Sequence, residues 1–113
     1  MTLLGRGSGC INTGGEKVFP EEVEEALKLH PAVHDAVVMG APHERFGQQV
    51  VAFVEPIDGG AIDVDELRDY VRGRLASYKV PRLVEVVPTI GRAVNGKVDQ
   101  GRWRAEAERL AAG

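Results

Sequence analysis

The chain has 113 residues, of which 43% are hydrophobic and 27% charged, as in an ordinary globular domain, so neither intrinsic disorder nor a membrane span is expected. A formal net charge of −3, with no basic stripe that carries interleaved aromatic residues, argues against nucleic acid as the main partner. The single cysteine, Cys10, excludes an internal disulfide, and without a signal-peptide pattern at the start the expected compartment is the cytoplasm.

The first part of the chain predicts a β-hairpin followed by a helix. The segments "CIN" and "EKVF" are short extended pieces that flank the turn "TGG". Pro20 suits the first position of a helix, and Glu21 and Glu22 would lie in its first turn, where the helix dipole favours carboxylates. We expect this helix to run to about Leu29, with its acidic run "EEVEE" on a solvated outer face and not in a metal cluster.

The middle of the chain predicts two antiparallel strands and a second helix. The segments "AVHDAVVMG" and "QQVVAFVEP" are rich in β-branched residues, and the turn segment "APHERFG" separates them. Asp63 is placed to cap a helix. The apolar positions of that helix follow the helical period and are Val64, Leu67, Val71 and Leu75.

The last part of the chain predicts one more strand, "RLVEVV" over 82–87, and a terminal helix with Trp103, Ala107 and Leu110 on one face. The whole order predicts a single α+β domain over residues 1–113. We expect an N-terminal β-hairpin plus a small, mainly three-stranded antiparallel sheet flanked by helices. On architecture alone, a standalone ferredoxin-like regulatory or interaction module that binds a small effector is an alternative.

The segment "GRAVNGKV", residues 91–98, fits the phosphate-binding pattern G-x-x-x-x-G-K-[ST] at every position except the last. A P-loop needs a Ser or Thr hydroxyl there to hold Mg²⁺, and this chain has Val98. An NTP-binding protein built on this segment therefore remains only a third alternative, and Lys97 needs another explanation. No metal site is expected elsewhere, because Pro31 would end a helix between His30 and His34.

Four blocks taken together resemble the C-terminal domain of the adenylate-forming acyl-CoA synthetases, in order and in spacing. These blocks are "GRGSGCINTGGEKVFPEEVEEAL", "HPAVHDAVVMGAPHERFGQQVVAFVEP", "LASYKVPRLVEVV" and "NGKV". The segment "GGEKVFPEEVE" is most similar to the fatty-acyl-CoA ligase branch of a superfamily that also includes nonribosomal-peptide adenylation domains and luciferases. The resemblance implies a mobile domain of a larger enzyme, whose N-terminal domain would be its partner and would hold the acyl pocket.

The resemblance implies a reaction in two steps, with ATP, Mg²⁺ and coenzyme A used by the complete enzyme and none of them held tightly by this domain alone. A carboxylic acid, here a fatty acid, attacks the α-phosphate of ATP to give acyl-adenylate and pyrophosphate. The thiolate of coenzyme A then displaces AMP. The family's small domain swings about a hinge between the two steps, so this chain alone is expected to be inactive.

The resemblance also implies roles for residues near both ends of the chain. Lys97 matches the family's adenylation lysine, whose ammonium can bridge the carboxylate and the α-phosphate as charge spreads in the transition state. Arg6 matches an arginine that contacts the nucleotide, and a guanidinium fork suits ribose or phosphate oxygens. Ser8 stands at the hinge, where the family commonly has Asp or Lys; the flanking glycines still supply backbone freedom.

The remaining implied roles concern coenzyme A. Gly15 matches a glycine that lines the pantetheine tunnel, where a backbone must approach the ligand closely. Glu16 and Lys17 flank the same tunnel. Arg72 sits where related enzymes can place a cation near the phosphates of coenzyme A.

Overall fold

In the computed structural model, which describes residues 10–112, five strands form one sheet. The strands are β1 (Ile11–Thr13), β2 (Glu16–Val18), β3 (Val33–His43), β4 (Gly47–Pro56) and β5 (Leu83–Val86). The helices are α1 (Pro20–Lys28), α2 (Val64–Arg72) and α3 (Gln100–Ala112). Short 3-10 turns lie at Ile57–Gly59 and Ser77–Lys79. The α+β class, the hairpin and the order of the elements are confirmed.

The long antiparallel pair β3–β4 forms the centre of the sheet, whose order is β2-β1-β4-β3. The pairing extends from Val33 opposite Pro56 to His43 opposite Gly47. Both strands are longer than predicted, because the turn between them is confined to residues 44–46. The Nδ1 atom of His43 accepts hydrogen bonds from the N–H groups of Arg45 and Phe46, at 3.1 and 3.2 Å, and so closes this turn.

Strand β5 runs parallel to β4, with Val51 opposite Leu83 and Val54 opposite Val86. This pairing differs from the antiparallel arrangement expected for the sheet. The reason is the connection: α2 and the two 3-10 turns lie between β4 and β5 and return the chain to the end of the sheet from which β4 started. A crossover through a helix joins parallel strands, whereas a short hairpin loop joins antiparallel ones.

Helices cover both faces of the sheet, so the core has two parts. One cluster lies between the sheet and the helices α1 and α2, and it includes Leu27, Val38, Val54 and Leu67. The other lies under α3, where the ring centroids of Phe53 and Trp103 are 4.7 Å apart. Strands β3 and β4 are therefore buried on both sides, which explains their nearly continuous apolar sequences.

The helix ends follow the sequence signals, but one glutamate of α1 does not follow its prediction. The Oδ1 atom of Asp63 accepts a hydrogen bond from the N–H of Glu66 at 3.2 Å, which confirms the predicted cap of α2.

Glu24 was expected on a solvated face, and this was wrong: it is only 6% exposed. Its Oε2 atom accepts a hydrogen bond from the backbone N–H of Val38 at 2.8 Å, so it satisfies a donor of strand β3.

No helix within residues 10–112 is long and apolar enough to cross a membrane.

Candidate functional site

Lys97 lies on a tight turn whose backbone is held by hydrogen bonds on several sides. The N–H of Gly96 donates to the carbonyl of Ala93 at 2.8 Å, and the N–H of Ala93 donates to the carbonyl of Lys97 at 2.9 Å. The N–H of Lys97 donates to the side-chain oxygen of Asn95 at 3.1 Å. Gly96 has φ of +85°, a conformation that favours glycine. The sequence "NGK" therefore builds a fixed turn, with the amide of Asn95 and the freedom of Gly96 each used.

The side chain of Lys97 projects from this fixed turn into solvent beside a groove. The residue is exposed, and the groove of about 370 Å³ that it lines also contacts Glu24, Lys28, Arg92 and Gln100. Cations predominate around this groove, so it suits a ligand that carries negative charge. A fixed backbone that carries an exposed lysine side chain can deliver a positive charge to a ligand outside the domain.

The hairpin presents its two glycines to solvent at its tip. Gly14 and Gly15 both have positive φ, +62° and +89°, as the favoured two-residue hairpin turn requires. The N–H of Gly14 donates to the carbonyl of Phe46 at 2.9 Å, which fixes the hairpin against the β3–β4 turn. Among residues 10–112, no atom other than those of its chain neighbours lies within 4 Å of an ideal Cβ at Gly15, so this face is open to a ligand.

Glu16 and Lys17 continue the hairpin and are both exposed. Glu16 lies opposite Thr13, and both line a cavity of about 260 Å³ that also contacts Tyr78 and Arg82. Lys17 lies opposite Asn12, in the next residue pair of the hairpin.

Arg72 lies at the end of α2, on a groove of about 650 Å³ with other basic side chains. Arg68, Arg82 and His43 line the same groove. Arg72 is exposed and forms an ion pair with Asp69, one helical turn earlier. The Nη2 atom of Arg68 donates to the carbonyl of Arg82 at 2.8 Å, while its buried Nε has no hydrogen-bond partner within residues 10–112. A phosphate group is the kind of ligand that such a set of guanidinium groups recognises.

The structure brings the hairpin and Arg72 together. The cavity at Glu16 and the groove at Arg72 share Ser77, Val80 and Arg82 in their walls, so the two spaces adjoin. A long ligand could therefore follow one continuous surface from the hairpin tip to the arginines of α2.

The turn of Lys97 and the hairpin attach to different parts of the sheet. Arg92 joins the turn of Lys97 to Asp35 on β3. Asp35 lies opposite Glu55 on β4, whereas Thr13 of the hairpin lies opposite Gly47. At about 3.3 Å per residue, the eight positions between Gly47 and Glu55 span on the order of 25 Å along β4. The two features therefore attach toward opposite ends of this strand.

Two predicted site residues, Arg6 and Ser8, lie outside the residues that the structure describes, so their roles stay predictions. Three other arginines at these sites were not predicted from the sequence, namely Arg92, Arg68 and Arg82. These arginines acquire their positions from contacts between segments that are distant in the chain. The local sequence around each of them carries no corresponding signal.

Comparison with known proteins matches most of this chain to one family. The family model described as the AMP-binding enzyme C-terminal domain matches residues 22–97, a range that ends on Lys97. The 3-oxocholest-4-en-26-oate–CoA ligase of Rhodococcus rhodochrous is 56% identical over 103 residues, which are 91% of this chain and 18% of that protein. The medium-chain acyl-CoA ligase Mig of Mycobacterium avium is 53% identical over 106 residues, which are 94% of this chain and 19% of that protein.

Solved structures agree with the sequence comparisons. Apo MatB from Rhodopseudomonas palustris superposes with a TM-score of 0.86 at 34% identity, over 96% of this chain and 22% of that one. A fatty acyl CoA synthetase of Mycobacterium tuberculosis superposes with a TM-score of 0.81 at 31% identity, over 89% of this chain and 20% of that one. The chain thus spans about a fifth of the length of the proteins it resembles.

Proposed function

Because this chain belongs to the family of AMP-binding enzyme C-terminal domains, we propose that it is the C-terminal domain of an AMP-forming acyl-CoA ligase. The complete enzyme would activate a carboxylic acid with ATP and then transfer the acyl group to coenzyme A. We propose a fatty acid as the substrate class, since relatives at more than 50% identity include a medium-chain acyl-CoA ligase and a protein named medium/long-chain-fatty-acid–CoA/3-oxocholest-4-en-26-oate–CoA ligase. The missing partner would be the N-terminal domain of the same enzyme.

The observation that carries this proposal is the separation of Lys97 from the hairpin, added to the family membership. A reaction in two steps needs two different sets of groups at one reacting centre. Attachment points on the order of 25 Å apart along β4 support an arrangement in which one set is present at a time. A rigid domain with one set at each end of the sheet fits an enzyme that rotates this domain between the steps.

In the first step, the ammonium of Lys97 would approach the acid carboxylate and the α-phosphate of ATP. Both groups are anions, and negative charge spreads over them as the new bond forms. Lysine suits this role because its charge is compact and its long stem is mobile, while the turn below it is fixed. Mg²⁺ would accompany ATP and neutralise phosphate charge in the complete enzyme, and Arg6 would contact the nucleotide.

In the second step, rotation about Ser8 would withdraw Lys97 and present the hairpin. The pantetheine arm of coenzyme A would pass the open face of Gly15, flanked by Glu16 and Lys17. The phosphates of coenzyme A would lie in the adjoining groove with Arg72 and its neighbouring arginines. The thiolate then attacks the acyl carbonyl of the adenylate, the thioester bond forms, and the bond to AMP breaks.

The experiment that tests this proposal is Lys97→Ala in the full-length protein, with the two steps measured separately. Pyrophosphate release from acid and ATP should fall by at least about 100-fold, as for the loss of one charge-stabilising donor in other enzymes. Thioester formation from supplied acyl-adenylate and coenzyme A should stay within about twofold, because the lysine is absent from that step. Lys79→Ala is the control, since Lys79 forms an ion pair with Glu22 away from the Lys97 turn.

Two results would contradict the proposal. If the wild-type full-length protein releases no pyrophosphate with any of a series of fatty acids, the assigned reaction is wrong. If Lys97→Ala lowers the rates of both steps equally, the proposal that Lys97 acts in the first step and the hairpin in the second is wrong.

A further inference from the structure

The guanidinium group of Arg92 joins the turn of Lys97 to strand β3 through all three of its nitrogens. Its Nε donates to Oδ2 of Asp35 at 2.6 Å, and its Nη2 donates to Oδ1 of the same carboxylate at 3.0 Å. Its Nη1 donates to the carbonyl of Gly96 at 2.9 Å. Nη2 also lies 3.3 Å from the carbonyl of Ala36. One planar side chain therefore fixes the distance between β3 and the peptide that precedes Lys97.

The peptide held by Arg92 is the one that determines where the lysine side chain starts. The Gly96 carbonyl belongs to the peptide group between Gly96 and Lys97, and a peptide group is planar. Gly96, with φ of +85°, has no side chain to restrict its own rotation. The hydrogen bonds within residues 93–97 hold the turn together, but they do not attach it to the sheet. Val98 packs against the core cluster under α3, and Arg92 supplies the polar attachment to β3.

Asp35 is suited to hold Arg92 in place. Its side chain is only 15% exposed, and the N–H of Ala36 donates to its Oδ1 at 2.8 Å. Partial burial pushes the pKa of Asp35 upward, but the hydrogen bonds from Arg92 and Ala36 and the charges of Arg92 and Lys28 outweigh burial and lower it below its usual 3.8. The carboxylate is therefore ionised at neutral pH and oriented toward the guanidinium on a rigid strand.

We propose that Arg92, anchored by Asp35, is the positioning residue for Lys97: it sets the place from which the lysine reaches the reacting groups in the adenylation step. This inference rests on the proposed function. Arg92 touches the backbone next to Lys97 and acts through it. Its effect on the rate arises because a misplacement of about 1 Å at a catalytic group can cost on the order of 100-fold.

A competing role for the same contacts is stability of the fold alone. The ion pair joins segments 57 positions apart in the chain, so its loss could lower stability without any specific effect on catalysis. The two roles differ in their dependence on Lys97. A stability role lowers both steps of the reaction together and operates whether or not Lys97 is present, whereas a positioning role disappears when the lysine is removed.

The test is Arg92→Ala in the full-length protein and also in the Lys97→Ala background. In the wild-type background, pyrophosphate release should fall by about 10- to 100-fold while thioester formation from supplied acyl-adenylate changes by less than about twofold. In the Lys97→Ala background, Arg92→Ala should cause no further loss of pyrophosphate release. Arg109→Ala is the matched control, because Arg109 also forms ion pairs, but it lies on α3 and its partners are Glu85 and Glu106.

A second variant keeps the test decisive if Arg92→Ala unfolds. Arg92→Lys preserves the positive charge near Asp35 but lacks the planar fork that reaches Asp35 and the Gly96 carbonyl together. We expect a melting temperature near that of the wild type and a pyrophosphate release still reduced by about tenfold, in line with lost positioning.

The outcomes separate this inference from the proposed function. A fully active Arg92→Lys variant, equal losses in both steps, or a further loss in the Lys97→Ala background would each overturn the positioning role. If Lys97→Ala abolishes pyrophosphate release but Arg92→Ala does not reduce it, the positioning role fails and the proposed function stands. If Lys97→Ala does not change the pyrophosphate release of an active enzyme, the role proposed for Lys97 is wrong, and the positioning role of Arg92 is wrong with it.

Discussion

Replacement of Gly15 by leucine tests whether the hairpin tip contacts coenzyme A or is only a turn. The structure allows the two effects of this change to be separated. Apart from its chain neighbours, an added Cβ at Gly15 would meet no atom of residues 10–112 within 4 Å, so the new side chain starts in open space. The expected cost to the fold is therefore that of the backbone, since Gly15 has φ of +89°.

The loss of stability from backbone strain in Gly15→Leu can be estimated, and a control variant can be given a similar strain. A non-glycine residue in the left-handed region costs about 1–2 kcal/mol, and strained backbone sites in general cost about 1–3 kcal/mol. In a domain of this size, roughly 4 °C or more of melting temperature is lost for each kcal/mol. Gly59 has φ of +68°, and an ideal Cβ there would likewise meet nothing within 4 Å in the described part of the chain, but Gly59 lies after β4 and not on the hairpin. Gly59→Leu therefore carries comparable strain without the hairpin.

The assay compares both leucine variants of the full-length protein in each step. Gly15→Leu should leave pyrophosphate release within about twofold and lower thioester formation by about 100-fold or more, because the bulky side chain prevents the thiol from reaching its near-attack position. Gly59→Leu should lower the melting temperature by a similar amount and leave both steps intact. Normal thioester formation in Gly15→Leu would refute the reasoning. Parallel losses in both variants would refute it as well, since strain alone would then account for them.

Two further predictions concern charged residues. Arg72→Ala should raise the KM for coenzyme A by about tenfold, as expected for the loss of one charge-assisted hydrogen bond, and should leave pyrophosphate release unchanged; an unaltered KM would remove Arg72 from the binding surface. Asp35→Asn should lower the free energy of unfolding at neutral pH, because folding lowers the pKa of Asp35 and so stabilises the folded state. This stabilisation is complete above the ordinary pKa of 3.8, and it is lost as the pH falls through the lower pKa of the folded state. Urea denaturation should therefore show a constant difference from the wild type between about pH 5 and pH 7 that shrinks below about pH 4; a difference that persists in acid would contradict this origin.

The elements that the sequence predicted well are those with local signals. Paired glycines predicted the hairpin turn, and both have positive φ. Asp63 predicted the start of α2 because its side chain accepts a hydrogen bond from a residue three positions later. Pro20 predicted the first residue of α1, because proline fixes the backbone angle φ that a helix requires. In each case the stabilising contact lies within a few residues of the signal.

The features that escaped prediction depend on contacts between distant segments. Glu24 is buried because α1 packs beside strand β3 and the N–H of Val38 needs an acceptor, and nothing within the run "EEVEE" distinguishes this glutamate from its neighbours. The pairing of Arg92 with Asp35 joins residues 57 positions apart. The roles of Lys97 and Gly15 came from resemblance to a family, and the structure adds their separation along β4.

The side of β3 that faces away from β4 has a consequence for solubility. In the sheet order β3 is the last strand, and such strands carry unpaired backbone groups that can recruit a strand from another molecule. Here Glu24 occupies the N–H of Val38, and Arg92 lies against the carbonyl of Ala36. These side chains occupy two of the hydrogen-bonding groups through which a foreign strand would add to the sheet. A domain that leaves one docked position for another, as proposed above, exposes new surface at every turnover, and these two contacts would oppose the addition of a strand in the middle of that edge.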